Sequence, residues 1–115
     1  MKKFLFFVAA AGLVLAIVLS SFGAAGDQPL IIDVRTEAEW NSGHLEGAVW
    51  IPYDVIGEKI GAIAKDKSAR IYVYCRSGRR SQIAKEALLK LGYRDIVNLG
   101  SVDDAARTMK RKIVK

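Results

Sequence analysis

The chain has 115 residues, a formal charge of +6, one cysteine and one histidine. That length bounds it to one domain with a modest core, and a lone cysteine excludes an internal disulfide. One Cys and one His are too few to assemble a metal site without several carboxylates, so neither a metal nor a cofactor is expected. The tail cations Lys110, Arg111, Lys112 and Lys115 are too few to mark a nucleic-acid partner and read as the solvated end of a C-terminal helix.

Met1, Lys2 and Lys3 form a positive start, followed by Phe4 to Leu19 without a charged residue. Small residues then run through Ser20 to Ala25, with Gly23 and Ala25 spaced as a signal peptidase requires. The apolar run suits either a long signal segment or a short spanning helix. Residues 1–25 are therefore expected to be a cleaved signal peptide or an uncleaved membrane anchor. The folded domain is expected over 26–115, exported or held on the extracytoplasmic, periplasmic side, and any membrane contact runs through an uncleaved anchor. An unpaired thiol on that side is open to oxidation. Sulfur chemistry would account for its retention.

Leu30 to Val34 is an apolar run broken by Asp33, the pattern of a central parallel strand. Thr36 can cap a short helix whose first turn carries Glu37 and Glu39, and Asn41 to Gly43 ends it. Ala48 to Ile51 is a second strand stopped by Pro52. Within Tyr53 to Ala64, Val55, Ile56, Ile60 and Ile63 fall at helical spacing, and Lys65 to Ser68 is a charged turn. Arg70 to Tyr74 reads as a buried strand, Cys75 to Ser81 as a loop, and Gln82 to Leu91 as a helix stopped by Gly92. The predicted inner face of this helix is Ile83, Ala84, Ala87, Leu88 and Leu91. Asp95 to Leu99 is the last strand, and Gly100 with Ser101 turns the chain into a closing helix from Val102 to about Lys110. Alternating strands and helices predict an α/β domain with a central parallel sheet, helices on both faces and right-handed crossovers.

The loop after the Arg70 strand carries the chemistry. Ligands in such sheets bind beyond the carboxyl ends of the strands, where Cys75 stands. A strand that empties through a glycine-containing loop into a helix presents unpaired N–H groups to an anion. Arg76, Arg79 and Arg80 surround the thiol in sequence and favour its thiolate, the nucleophilic form. The alternative is an inert thiol at the end of a buried strand. Three arginines within five residues argue against a shared dry core.

Cys75, Gly78 and Arg80 also stand at the offsets Cys-x-x-Gly-x-Arg, where the chain resembles the rhodanese family of sulfurtransferases. Upstream, Ile32 to Arg35, then Glu39 and Trp40, then Gly43 to Ala48 resemble the family's second landmark, and the resemblance runs from about Leu30 to Gly100. It implies a small rhodanese-like three-layer domain of the short, exported, single-domain type. It also implies sulfane-sulfur transfer through a Cys75 persulfide held by Arg76, Ser77, Gly78, Arg79, Arg80 and Ser81. The expected partners are a small-molecule sulfur donor, thiosulfate or polysulfide, and a thiol or cyanide acceptor. Related cysteine phosphatases carry Cys-x5-Arg, one residue longer than the spacing here, so phosphatase activity is not expected.

The helper residues have structural alternatives. Gly78 supplies a backbone conformation denied to other residues. Ser81 is either the helix cap or a hydrogen-bond donor to the persulfide. Arg79 and Arg80 are candidates for the sulfonate oxygens of thiosulfate, though one of them can instead pair with an acid. Asp33 with Arg35, and His44, read as structural, and Trp50 as pocket roof or core. Besides turnover on thiosulfate, the same loop fits a carrier that holds a persulfide and delivers it to a partner protein.

Overall fold

The computed structural model describes residues 28–115. The signal or anchor reading of 1–25 and the boundary at Gly26 lie outside these residues. Among the described residues no helix is long and apolar enough to cross a membrane, and no group of three or more His, Cys, Asp or Glu could hold a metal ion.

Strands β1 (Leu30–Asp33), β3 (Val49–Trp50), β4 (Arg70–Cys75) and β5 (Asp95–Ser101) form a parallel sheet in the order β3-β1-β4-β5. Ile31, Ile32, Ile71 and Val73 are fully buried, because in an all-parallel sheet both faces of a central strand are covered. Helices α2 (Ile56–Ile63) and α3 (Arg79–Lys90) cover one face. Their Ile56, Ile60, Ala84 and Leu88 join Ile32, Val34, Ile71 and Val73 in the larger core cluster. The opposite face carries α4 (Val102–Met109), whose Ala105 joins Ile31, Leu45, Tyr74 and Leu99 in the smaller one. The α/β three-layer prediction holds.

Local departures have local causes. Val55 N–H bonds to Pro52 O, so a turn occupies the stretch after Pro52 and α2 begins at Ile56 rather than Tyr53. Ile83 and Leu91, expected inside, are about two-fifths exposed, so the inner stripe of α3 narrows to Ala84, Ala87 and Leu88. The closing helix packs through Val102, Ala105, Ala106 and Met109 without an aromatic residue. The tail is not a solvated helix end. Lys110 turns left-handed at φ 57, and β6 (Ile113–Val114) pairs antiparallel with β2 (His44–Leu45).

Candidate active site

Because β3 and β4 flank β1 on opposite sides, the winding reverses between β1 and β4, and a crevice opens beyond their carboxyl ends. Arg35 follows β1 at that edge and Cys75 closes β4. Cys75 is fully buried and belongs to the larger apolar cluster. The expectation that neighbouring arginines would keep it out of the core is therefore corrected. Strand alternation turns the Cys75 side chain inward, whereas Arg76 and Arg79 lie on the loop and helix beyond and are exposed.

The turn after the strand is abrupt. Gly78 sits at φ +96 and donates its N–H to Cys75 Sγ at 3.0 Å. A Cβ at Gly78 would meet only Gly100 Cα at 3.5 Å, an ordinary contact, so conformation rather than space requires glycine. Gly78 is also the N-cap of α3, which starts three residues earlier than expected. Ser81 is thus inside the first turn and is not the cap. Its hydroxyl lies 3.4 Å from Cys75 Sγ and donates to Asn98 Oδ1 at 2.6 Å.

Burial pushes the Cys75 thiol up, but the hydrogen bond that the Ser81 hydroxyl can give the thiolate, with those from the backbone N–H groups of Ser81, Ser77 and Gly78, outweighs it. The thiol ends below its ordinary value. The largest lowering causes are hydrogen bonds of the loop, and the Arg80 charge that the sequence points to also couples to the Cys75 thiolate.

Arg80 is committed to an acid. Its Nη1 and Nη2 donate to Glu39 Oε1 and Oε2 at 2.8 and 2.9 Å, a two-pronged pair. The Arg80 bond, against the opposing pull of burial and with help from Thr36, draws the Glu39 carboxyl down to about 2. Glu39 lies in α1 (Glu37–Ser42), capped by Thr36 as expected. Among the described residues Arg76 and Arg79 have no ion-pair partner.

The upstream residues expected to be structural are engaged in contacts within the fold. Buried Arg35 binds both oxygens of buried Asp33, at 2.7–3.1 Å, and donates to Gly43 O at 2.6 Å. His44 stacks on Trp40 with ring centroids 3.4 Å apart, and its Nδ1 donates to Trp40 O. Trp50 is half-buried, and its Nε1 donates to Arg35 O, which props the strand end.

Two clefts flank this edge. One of about 230 Å³ is lined by Arg35, Tyr53, Asp54 and Arg80, among others, and one of about 420 Å³ by Arg35, Glu39, Arg76, Ser101 and Asp103. Arg35 borders both, and Cys75 lines neither. Sequence reasoning missed Asn98, which bonds to Gly78 O, Gln82, Ser81 and Gly100 N–H. A polar Asn within the predicted strand Asp95 to Leu99 was the available signal.

The sequence profile of the rhodanese-like domain matches residues 19–104. Thiosulfate sulfurtransferase PspE of Escherichia coli (strain K12) is 39% identical over 75 residues, which span 65% of this chain and 72% of that protein. A sulfurtransferase of Allochromatium vinosum is 36% identical over 81 residues, 70% of this chain and 74% of its own. A solved structure described as rhodanese with anions from E. coli superposes with a TM-score of 0.70 at 35% identity. It covers 76% of this chain and 99% of that one.

Proposed function

This chain belongs to the rhodanese-like family of sulfurtransferases, and on that premise we propose that Cys75 carries sulfane sulfur from thiosulfate or polysulfide to a thiol or cyanide acceptor. The observation that carries the proposal is the Gly78 N–H aimed at Cys75 Sγ from a loop that lowers the thiol pKa. The Cys75 thiolate attacks the outer sulfur of thiosulfate. The S–S bond of thiosulfate breaks, sulfite leaves with the bonding pair, and Cys75 keeps an anionic persulfide. Cyanide or a thiolate then takes that terminal sulfur, and the pair from the Cys75 S–S bond restores the thiolate.

The anionic terminal sulfur finds the loop N–H groups from Arg76 to Ser81, fixed partial charges that need no reorganisation. Arg76 and Arg79, free of acids, are the groups for the sulfonate oxygens, while Arg80 serves through the loop it anchors to Glu39. The similarity to thiosulfate sulfurtransferase PspE supports thiosulfate as donor. Residues 1–25 are assigned export or anchoring and 26–115 the catalytic domain, on the Lys2, Lys3 start and the uncharged run that follows.

The buried thiol and the latched Arg80 favour a second reading, a persulfide carrier with little turnover on thiosulfate. Intact-mass spectrometry after thiosulfate treatment should find one added sulfur atom at Cys75, removed by cyanide with release of thiocyanate. Addition from polysulfide alone would select the carrier. No addition from either donor, on protein with a free thiol, would overturn both readings.

A further inference from the structure

Asn98 stands between the cysteine loop and the last strand with each of its polar positions engaged. Its Nδ2 donates to Gly78 O at 3.0 Å and to Gln82 Oε1 at 3.2 Å. Its Oδ1 accepts from Gly100 N–H at 3.0 Å and from the Ser81 hydroxyl at 2.6 Å. Gly78 O can only accept and Gly100 N–H can only donate, so two backbone groups fix which end of the carboxamide faces which way. The atom facing Ser81 is therefore an acceptor, and Ser81 must supply the hydrogen. A hydroxyl has one hydrogen to give. While Asn98 holds it, Ser81 turns lone pairs toward Cys75 Sγ, 3.4 Å away. Lone pairs suit an S–H donor and oppose a thiolate.

We propose that Asn98 is a positioning residue for Cys75: it holds the Ser81 hydroxyl hydrogen while the sulfur is neutral and yields it to the sulfur when the sulfur becomes an anion. The proposal rests on Cys75 being the nucleophile. Asn98 is not orphaned by the transfer, because Oδ1 keeps its bond from Gly100 N–H. Gly78 N–H stays on the sulfur in both states, so the Ser81 hydrogen is the part that moves. The ionisable groups around the site are held by other partners or face solvent. Arg80 is held by Glu39 from α1, and Arg35 by Asp33 on β1. Arg76 and Arg79 are exposed, Tyr53 follows β3, and Asp104 is engaged in the cap of α4. None of them bonds to Asn98.

The test is the thiolate titration of Cys75, read by ultraviolet absorbance and by alkylation rate against pH. It is run on the native protein, Asn98→Ala, Ser81→Ala and the double variant. The chain has one cysteine, so the signal belongs to one group. Asn98→Ala frees the hydroxyl to serve sulfur permanently and should lower the midpoint by about half to one pH unit. In the Ser81→Ala background the same change should have no effect. No shift with Ser81 present, or equal shifts in both backgrounds, overturns the proposal. Should Asn98→Ala not fold, Asn98→Asp keeps both acceptor contacts. Its charge raises the midpoint in both backgrounds, but its stronger grip on the hydroxyl should add a further rise only where Ser81 is present. Absence of that difference is equally fatal. The titration uses no sulfur donor, so its failure is separable from failure of the sulfurtransferase reading, which shows as absence of the persulfide.

Discussion

At Cys75 a buried position and a depressed thiol pKa coexist because the sulfur meets donors rather than bulk water. The arginines that dominate the motif in sequence divide their work. Arg80 is spent on Glu39, whereas Arg76 and Arg79 face solvent at the rim. Substitution should separate these roles. Cys75→Ser should abolish sulfur transfer with the fold intact, since a hydroxyl is nearly isosteric but far less nucleophilic. Arg79→Ala should reduce kcat/KM for thiosulfate by about ten- to a hundredfold, the loss of one charge-assisted contact, and polysulfide turnover by less, because polysulfide has no sulfonate. Arg80→Ala should instead depress both donors alike and lower stability, through loss of the Glu39 pair. Steady-state kinetics on the two donors checks the division. An Arg80 variant selectively impaired with thiosulfate would return Arg80 to the oxyanion.

The strand, the short turn and the helix that follow one another around Cys75 work as a unit whose hinge is Gly78. Alanine at Gly78 has space but not conformation, and a left-handed non-glycine residue costs about 1–2 kcal/mol. Gly78→Ala should therefore lower stability by about that much in urea unfolding. It should also raise the midpoint of Cys75 alkylation, because relaxing φ swings the Gly78 N–H off the sulfur. Gly78→Asn, which tolerates this region better, should recover part of both. Such a unit was legible in sequence because Ile71 and Val73, then Cys75 and Gly78, carry their own signals of burial and turn. The start of α3 was not, because Arg79, Arg80 and Ser81 are polar and a first helical turn needs no apolar residue when a backbone glycine caps it. Burial of Cys75 escaped for a related reason. Nearness in sequence to three arginines says nothing about direction once a strand ends and a helix begins.

At the scale of the whole molecule, the parallel sheet followed from alternating apolar runs, while contacts between distant polar residues did not. Glu39 was legible as a residue of the first turn of a helix and as part of the second landmark, but no local signal joined it to Arg80, 41 positions later. The pairing of β6 with β2 was equally silent, since two-residue strands carry no periodicity. The Glu39–Arg80 pair matters here because it ties α1 to α3 across the sheet edge that bears the cysteine loop. Its pH dependence has a definite sign. The folded carboxyl lies at about 2, against an ordinary value of 4.5, so between these limits the unfolded chain binds more protons than the folded one. Stability from this pair is therefore fully present above about pH 4.5 and is lost as pH falls toward about 2. Both side chains are about one-fifth to one-quarter exposed, so solvent screening keeps the contribution on the order of 1 kcal/mol. Urea midpoints measured down this range should fall for the native protein. Glu39→Gln should start lower near neutrality and converge on the native curve toward the acid end. Parallel curves, with the gap unchanged through the window, would mean that the cost of losing Glu39 does not come from the charge of its carboxylate, whether that charge faces Arg80 or Thr36.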